Sequence, residues 1–244
     1  MIKIEKCQVI GWESALRGMR NPKNSWERGD SGYCRGHSDL CNTCIYSPMD
    51  NKVCLMALEC RGKHFVIGEK DLELALKLCK NGPVHAKFRR MIVAYMDITA
   101  PLYFWKEFDT YKVGTVANSC STMHKLQDKK FDITDFSCEH LRDRSLFLLR
   151  EVIQELNLWR EIYINGYPPE SGCEAIEPEK KEVWWQMIQL LPSSYNQKRT
   201  IMLSYEVLAN MYMWRKKHKL DEWREFAEYI ENLPYSEIIT TCGV

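Results

Sequence analysis

The chain has 244 residues, of which 45% are hydrophobic and 27% are charged, and its formal net charge is +1. These values are ordinary for a globular protein with a sizeable core, and they exclude collagen, coiled coil and general disorder. The balance of 34 basic and 33 acidic residues argues against non-specific attraction to nucleic acid. We see neither an apolar run of about 20 residues nor a signal peptide, so we expect a cytoplasmic protein that does not span a membrane.

Strand and helix patterns alternate in the N-terminal half. Loose apolar alternation over residues 2–9 predicts a strand, and a short helix is expected at residues 13–19. The polar stretch at residues 20–51 predicts a long loop or a small insert. The elements expected beyond it are a strand at 58–67, a helix at 69–81, a strand at 89–98, a helix from Pro101 towards Asp109, and a loop at 113–123.

The C-terminal half has mostly helical periodicity. Apolar residues spaced by three and four positions from Leu149 to Tyr163 predict one long helix. Further helices are predicted at residues 179–190, 198–217 and near 223–230, with a flexible linker at about 166–178. Together these patterns predict an α+β fold. We expect one helix-rich domain over residues 1–244, with a mixed or antiparallel sheet and a Cys-rich insert at about 30–60.

The predicted insert carries a cysteine pattern that could bind a metal ion. The chain has 11 cysteines, and without a secretion signal reduced thiols are the default expectation. Cys34, Cys41, Cys44 and Cys54 follow the spacing C-x6-C-x2-C-x9-C, and four thiolates can complete a tetrahedral zinc shell. Because this spacing is not a double C-x2-C motif, a surface loop of reduced cysteines stays open as the alternative. An iron–sulfur cluster is a weaker one.

Two other regions have side chains suited to ligand binding. Residues 110–124 combine hydroxyls, an amide, a thiol and an imidazole, which suit phosphate or heterocycle binding. The alternative is a turn whose Ser, Thr and Asn side chains bond their own backbone. Further along, Asn210 lies one helical turn after Glu206. The guanidinium of Arg215 suits a phosphate, although a solvated basic helix end would look the same.

Two stretches, residues 82–123 and about 190–224, carry a spaced set of motif positions. The matching residues are His85, Ala100, Pro101, Trp105, Asn118 and Ser121 in the first stretch, and Leu191, Pro192, Asn210 and Arg215 in the second. At these positions the chain resembles the flavin-dependent thymidylate synthases. The resemblance covers less than half of the chain and consists of separated positions rather than one continuous motif.

Several signature positions of that family hold other residues here. Glu107 stands for a Gln, and residues 110–112 stand for R-H-R, of which Lys112 alone keeps a charge. Met123 replaces one Arg, and Glu206 replaces another and so reverses the charge. A carboxylate at that position would repel a phosphate unless a neighbouring group compensates it.

The resemblance implies reductive methylation of dUMP to dTMP. Methylenetetrahydrofolate would supply the carbon, and NADPH would supply reducing equivalents through FAD. The family site forms between subunits of a homotetramer. The implied flavin contacts are His85, Lys112, Asn118 and Asn210, and the implied substrate contacts are Glu107, Ser121 and Arg215, with Ser121 also as the catalytic residue.

Two other interpretations stay open beside this enzyme. The replaced arginines favour a non-catalytic relative that keeps the fold and binds a nucleotide without flavin chemistry. The cysteine pattern favours a zinc-bearing interaction protein, which predicts stoichiometric zinc and a protein partner. Bound flavin distinguishes the enzyme from the non-catalytic relative, whereas the zinc-bearing module is compatible with either.

Overall fold

A computed structural model describes residues 2–34, 65–166 and 179–241. It confirms the predicted helix-rich α+β class. The elements are β1 (Lys3–Ile10), α1 (Trp12–Arg20), β2 (Gly32–Tyr33), β3 (Phe65–Val66), α2 (Glu69–Lys80), β4 (Val93–Pro101), α3 (Leu102–Phe108), β5 (Thr115–Ser119), α4 (Asp143–Asn165), α5 (Lys180–Leu190), β6 (Asn196–Ser204), α6 (Tyr205–Arg215), α7 (Asp221–Glu231) and α8 (Glu237–Thr240). Most of the predicted insert and nearly all of the predicted linker lie outside the described residues.

The main sheet has four strands in the order β1-β4-β6-β5, and β2 pairs with β3 separately. Strand β4 buries alternate residues on one face, as a half-covered strand does. Two backbone hydrogen bonds fix its pairing with β6. The amide of Tyr205 donates to the carbonyl of Ile92 at 2.9 Å, and the amide of Leu102 donates to the carbonyl of Tyr195 at 3.0 Å. These partners run in opposite directions along the chain, so the two strands are antiparallel.

The loop predicted at residues 113–123 is wrong, because its centre is the strand β5. This strand lies at the edge of the sheet and is exposed along most of its length. The amide of Cys120, just after it, donates to the carbonyl of Lys198 on β6 at 2.9 Å. An exposed edge strand needs no apolar alternation, and its Thr, Asn and Ser content therefore gave a loop pattern.

The helix predicted at residues 198–217 is wrong in its first third. That part belongs to β6, in which Ile201 and Leu203 are buried on one face. Helix α6 begins only at Tyr205, where the hydroxyl of Ser204 accepts from the amide of Val207 at 3.3 Å and caps it. The alternation of Ile201 and Leu203 is too short to outweigh the helical spacing that follows it.

Other boundaries are confirmed or corrected locally. The helices predicted at 13–19, 69–81 and along 149–163 are confirmed as α1, α2 and α4. The strand predicted at 89–98 begins only at Val93, because Lys87–Met91 form a 3-10 helix. Of the strand predicted at 58–67, residues 65–67 are described, and Phe65–Val66 of these form β3. No helix within the described ranges is long and apolar enough to span a membrane.

Contacts divide the chain into two compact units. The first unit comprises Met1–Glu5, Asp97–Thr110 and Ala117–Thr200, and the second comprises Lys6–Met96, Tyr111–Val116 and Ile201–Val244. The core of the first unit is formed by Leu126, Phe131, Phe136, Leu149, Ile153, Leu156 and Met187.

The core of the second unit contains interlocked aromatic rings. The ring of Trp12 meets those of Tyr205 and Tyr235 edge-on, at centroid distances of 5.2 and 5.3 Å. The hydroxyl of Tyr205 donates to the carbonyl of Pro234 at 2.6 Å. The start of α6 is therefore fixed both by apolar burial and by a hydrogen bond to the segment before α8.

Candidate functional site

A groove of about 610 Å³ lies beside α6 in the second unit, and we call it the α6 groove. Glu206, Asn210 and Met213 line it together because they are spaced by four and three residues on the helix. Its other described lining residues are Pro83, Arg89, Arg90, Val93, Val113, Gly114, Met202, Ser204, Val207 and Ala209. The groove thus combines apolar walls with an amide and two guanidinium groups. Its size is within the usual range of ligand sites.

Gly114 lets the chain pass close to α6 at one wall of the groove. Its φ is +79°, and a Cβ added there would lie 3.1 Å from Cγ2 of Val207. The amide of Ser204 reaches the carbonyl of Gly114 at 3.4 Å. A residue with a side chain would be strained in this conformation and would crowd the helix, so glycine keeps the groove wall in place.

Glu206, the residue that reverses the charge of a family position, is neutralised inside the groove. Its Oε2 lies 2.9 Å from Nε of Arg89, whose side chain is only 5% exposed. Nη1 of Arg89 also donates to the carbonyl of Ile238 at 3.4 Å. The carboxylate therefore does not present an uncompensated negative charge to an anionic ligand.

The neighbouring Arg90 is exposed and lines the same groove. Within residues 2–34, 65–166 and 179–241 it has no ion pair. Its guanidinium therefore provides positive charge for a phosphate or another anion. Sequence reasoning assigned Arg89 and Arg90 to a strand and missed both as site residues. The sequence feature that could have identified the two arginines is their position a few residues after the Gly82-Pro83 turn and His85.

Arg215 ends α6 and is held by aromatic rings outside the lining of the α6 groove. Its Nε donates to the hydroxyl of Tyr111 at 2.9 Å. The guanidinium lies 5.0 Å from the centroid of the Trp223 ring and 5.6 Å from that of Tyr111. Stacked contacts of this kind fix the plane of an arginine. Lys112, an implied flavin contact, is exposed directly after Tyr111.

The other implied flavin contacts occupy different positions. Asn210 is exposed and lines the α6 groove. His85 is also exposed, in a turn where its amide donates to the carbonyl of Gly82 at 3.0 Å, and it does not contribute to the described lining of the groove. Asn118 is exposed on β5, in the first unit.

Ser121 and Glu107 also belong to the first unit. The hydroxyl oxygen of Ser121 accepts from the amides of Met123 at 3.2 Å and His124 at 2.9 Å, and so closes a local turn. This is the backbone-bonding arrangement that the sequence left open for the segment. Glu107 is half-buried on α3.

A hydrogen-bonded network supports the segment before Ser121. The side-chain amide of Gln197 donates to the carbonyl of Cys120 at 2.7 Å, and its oxygen accepts from Nε of Arg199 at 3.0 Å. Arg199 also pairs with Asp109 at 2.7 Å and lies 4.3 Å from the ring centroid of Trp105. These contacts fix the backbone at Cys120, and sequence reasoning did not predict them because they join residues far apart in the chain.

The predicted zinc ligands lie mostly outside the described residues. Cys34 is buried at the end of the described N-terminal range, whereas Cys41, Cys44 and Cys54 fall in the part of the chain that is not described. Across the described ranges, no group of three or more His, Cys, Asp or Glu residues could hold a metal ion. The zinc hypothesis therefore stays a prediction.

Comparison with known proteins supports the fold. No protein-family model and no curated protein matches the sequence. A structure of the flavin-dependent thymidylate synthase ThyX from Helicobacter pylori, complexed with FAD and dUMP, matches with a TM-score of 0.61 at 14% identity, covering 99% of this chain and 100% of that one. Another structure of Helicobacter pylori ThyX with FAD and dUMP has a TM-score of 0.57 at 15% identity, covering 98% and 96%. The chain shares their fold.

Proposed function

We propose that this chain binds a flavin nucleotide in the α6 groove and reductively methylates a pyrimidine nucleotide of the dUMP class. The fold it shares with ThyX structures that contain FAD and dUMP supports this proposal. The observation that carries it is the composition of the groove, in which Asn210 and the exposed Arg90 lie among apolar side chains. The shared fold alone would not support a function, because one fold can host many functions.

The residues of the α6 groove fit a flavin. Val113, Val207 and Met213 offer apolar surface to a flat heterocycle. The amide of Asn210 can donate to and accept from the ring edge, and Arg90 can pair with a phosphate. When bound, the flavin would supply hydride transfer.

Two residues outside the groove would handle the substrate. Arg215, oriented by Tyr111 and Trp223, would bind the nucleotide phosphate through its fixed guanidinium plane. The oxygen of Ser121 already accepts two backbone hydrogen bonds, so its hydroxyl proton is the group that would polarise the uracil carbonyl. We propose methylenetetrahydrofolate and NADPH as co-substrates, and a homotetramer as the active assembly.

A non-catalytic nucleotide-binding relative is the second candidate. The pairing of Arg89 with Glu206 favours it, because this arginine is already committed to a carboxylate. Met123, where the family has an arginine, favours it as well. Such a protein would bind a pyrimidine nucleotide near Arg215 without binding flavin.

The test is a visible absorption spectrum of the purified protein, recorded with FAD and then with dUMP. We expect a protein-bound flavin band that shifts on adding dUMP, followed by turnover with methylenetetrahydrofolate and NADPH. A colourless protein that does not retain FAD contradicts the enzyme. If it still binds dUMP by calorimetry, the non-catalytic candidate is supported.

A further inference from the structure

A second groove, of about 560 Å³, lies between the end of α1 and helix α2 in the second unit. We call it the α1–α2 groove. Lys70, Glu73, Leu74 and Lys77 line it from one face of α2, because they are spaced by three and four residues. Its remaining lining comes from the end of α1 and the two 3-10 turns that follow. None of its lining residues belongs to the α6 groove.

Positive charge dominates this groove. Five of its lining residues are basic and two, Glu27 and Glu73, are acidic. Among the described residues, the side chains of the four basic residues other than Arg20 have no ion pair; these are Lys23, Arg28, Lys70 and Lys77. Against the two carboxylates of Glu27 and Glu73, these four charges leave the groove net positive, so it attracts anions.

The groove is built on a rigid support. Arg20, which lines it, is 6% exposed, and its Nε lies 2.6 Å from Oδ1 of Asp71. Asp71 also accepts from the amides of Asp30 and Ser31, each at 3.1 Å. In return, Asp30 caps α2 by accepting from the amide of Lys70 at 2.9 Å. These bonds fix the first turn of α2 against the end of α1, so the groove is formed before a ligand arrives.

Ser25 contributes a shielded hydroxyl group to the groove lining. Its oxygen is buried from solvent and makes no hydrogen bond with any residue that the structure describes. Buried hydroxyls normally have a partner, and an unpaired one costs about 1–3 kcal/mol. A hydrogen-bonding ligand in the groove is one way to satisfy it after a small side-chain rotation.

We propose that the α1–α2 groove binds a multiply phosphorylated small molecule of the nucleoside triphosphate class. Its positive charge suits several phosphates, and its volume is that of a small-molecule site. Glu27 and Glu73 interrupt the positive charge, which disfavours a long uniform polyanion and favours a ligand that also has a polar, uncharged part. The inference goes beyond the proposed flavin chemistry and does not rest on it.

The test is isothermal titration of the full chain with ATP and with inorganic triphosphate at low salt. We expect saturable binding of both, weakened by added salt. The double substitution Lys70→Ala and Lys77→Ala should weaken it by at least about tenfold, because two charged contacts are lost. Glu73→Gln should strengthen it by removing a repulsive carboxylate. Both α2 variants change exposed or half-exposed side chains, so their thermal midpoints should match the parent protein.

Two control variants locate the binding. Lys80→Ala removes an exposed lysine of the same helix that does not line the groove, and Arg90→Ala alters the α6 groove instead. Both should bind triphosphate like the parent protein. The proposal is overturned if no saturable binding occurs, or if Lys80→Ala weakens binding as much as the double substitution. It is also overturned if a single-stranded oligonucleotide binds more tightly than triphosphate. A protein that binds triphosphate but not flavin would contradict the proposed flavin chemistry and leave the triphosphate proposal standing.

Discussion

Arg89 and Glu206 form an ion pair at 2.9 Å in the wall of the α6 groove, although 117 positions separate them in the chain. The pair explains how a carboxylate can stand where the resembled family has an arginine. Arg89 is buried, so its charge requires a partner, and Glu206 supplies it. The adjacent Arg90, exposed on the same lining, is then the guanidinium that can meet a ligand.

Glu206→Gln should lower the free energy of unfolding by about 2 kcal/mol. The substitution leaves the buried Arg89 without a charged partner, and hydrogen bonds to charged groups contribute about 1.5–3 kcal/mol. Urea denaturation measures the change. Arg90→Ala is the control, because it removes an exposed side chain and should alter stability by less than about 0.5 kcal/mol. Equal stability of Glu206→Gln and the parent protein would contradict the role of the pair.

Arg90→Ala should instead weaken flavin binding. Loss of one charge-assisted contact to a phosphate is expected to reduce affinity about tenfold. Quenching of flavin fluorescence measures the affinity, and the circular dichroism spectrum should be unchanged. Unaltered flavin affinity would exclude Arg90 from the binding site and weaken the assignment of the α6 groove.

Asp71→Ala should be strongly destabilising. Asp71 and Arg20 are buried together, with side-chain exposures of 3% and 7%, and removing one partner of such a pair costs about 3–5 kcal/mol. The substitution also removes the hydrogen bond that the hydroxyl of Ser31 donates to Oδ2 of Asp71 at 2.6 Å. Thermal unfolding measures the effect. Glu73→Ala, two residues further along α2, is the control and should change stability little.

Gly68→Ala and Gly18→Ala should have opposite effects. A Cβ on Gly68 would collide with Cγ and with the backbone carbonyl oxygen of Asp30, so the cap of α2 must shift. We expect a loss of about 1–3 kcal/mol, as for other overpacked sites. A Cβ on Gly18, inside α1, would meet the flexible side chain of Met91 among the described residues, with its sulfur at 3.3 Å. Alanine there should stabilise the helix by about 0.5–1 kcal/mol.

The protein should lose stability at alkaline pH. Partial desolvation raises the pKa of the surface thiol of Cys7 above its ordinary value of 9.0 and outweighs the opposing hydrogen bond with Tyr229. Burial, with that hydrogen bond, also raises the pKa of Tyr229 above its ordinary value of 10.0. The native state therefore retains protons that the unfolded chain releases, and stability falls as the pH rises above about 9.

Urea midpoints measured between about pH 8 and about pH 10.5 test this dependence. Tyr229→Phe cannot release the proton and should show a shallower decline than the parent protein. A parallel decline of the two proteins would show that other groups control the alkaline transition.

The sequence predicted helices better than strands. The helices α2 and α4 bury one face against a core, so their apolar residues recur with helical spacing. The edge strand β5 buries almost nothing, and its sequence therefore carries no alternation that could identify it. The start of β6 was missed because an apolar helix follows it without a break.

The candidate site was predictable residue by residue but not as an arrangement. Asn210 and Arg215 could be named from their positions in the resembled motifs. That Asn210 lines a groove, whereas Arg215 is held by Tyr111 and Trp223, depends on tertiary contacts. The pairing of Arg89 with Glu206 joins residues 117 positions apart, and neither periodicity nor motif spacing along the sequence indicates such a contact.

The contacts around α2 also join positions that are distant in the sequence. The amide of Gly68 donates to the hydroxyl oxygen of Ser31 at 3.0 Å, and the amide of Lys70 donates to Asp30 at 2.9 Å, so these pairs close separations of 37 and 40 positions. The entropy cost of such a closure grows only with the logarithm of the separation, by about 0.6 kcal/mol for each doubling. Substitution of Asp30 or Ser31 should therefore loosen a long-range closure rather than a local turn.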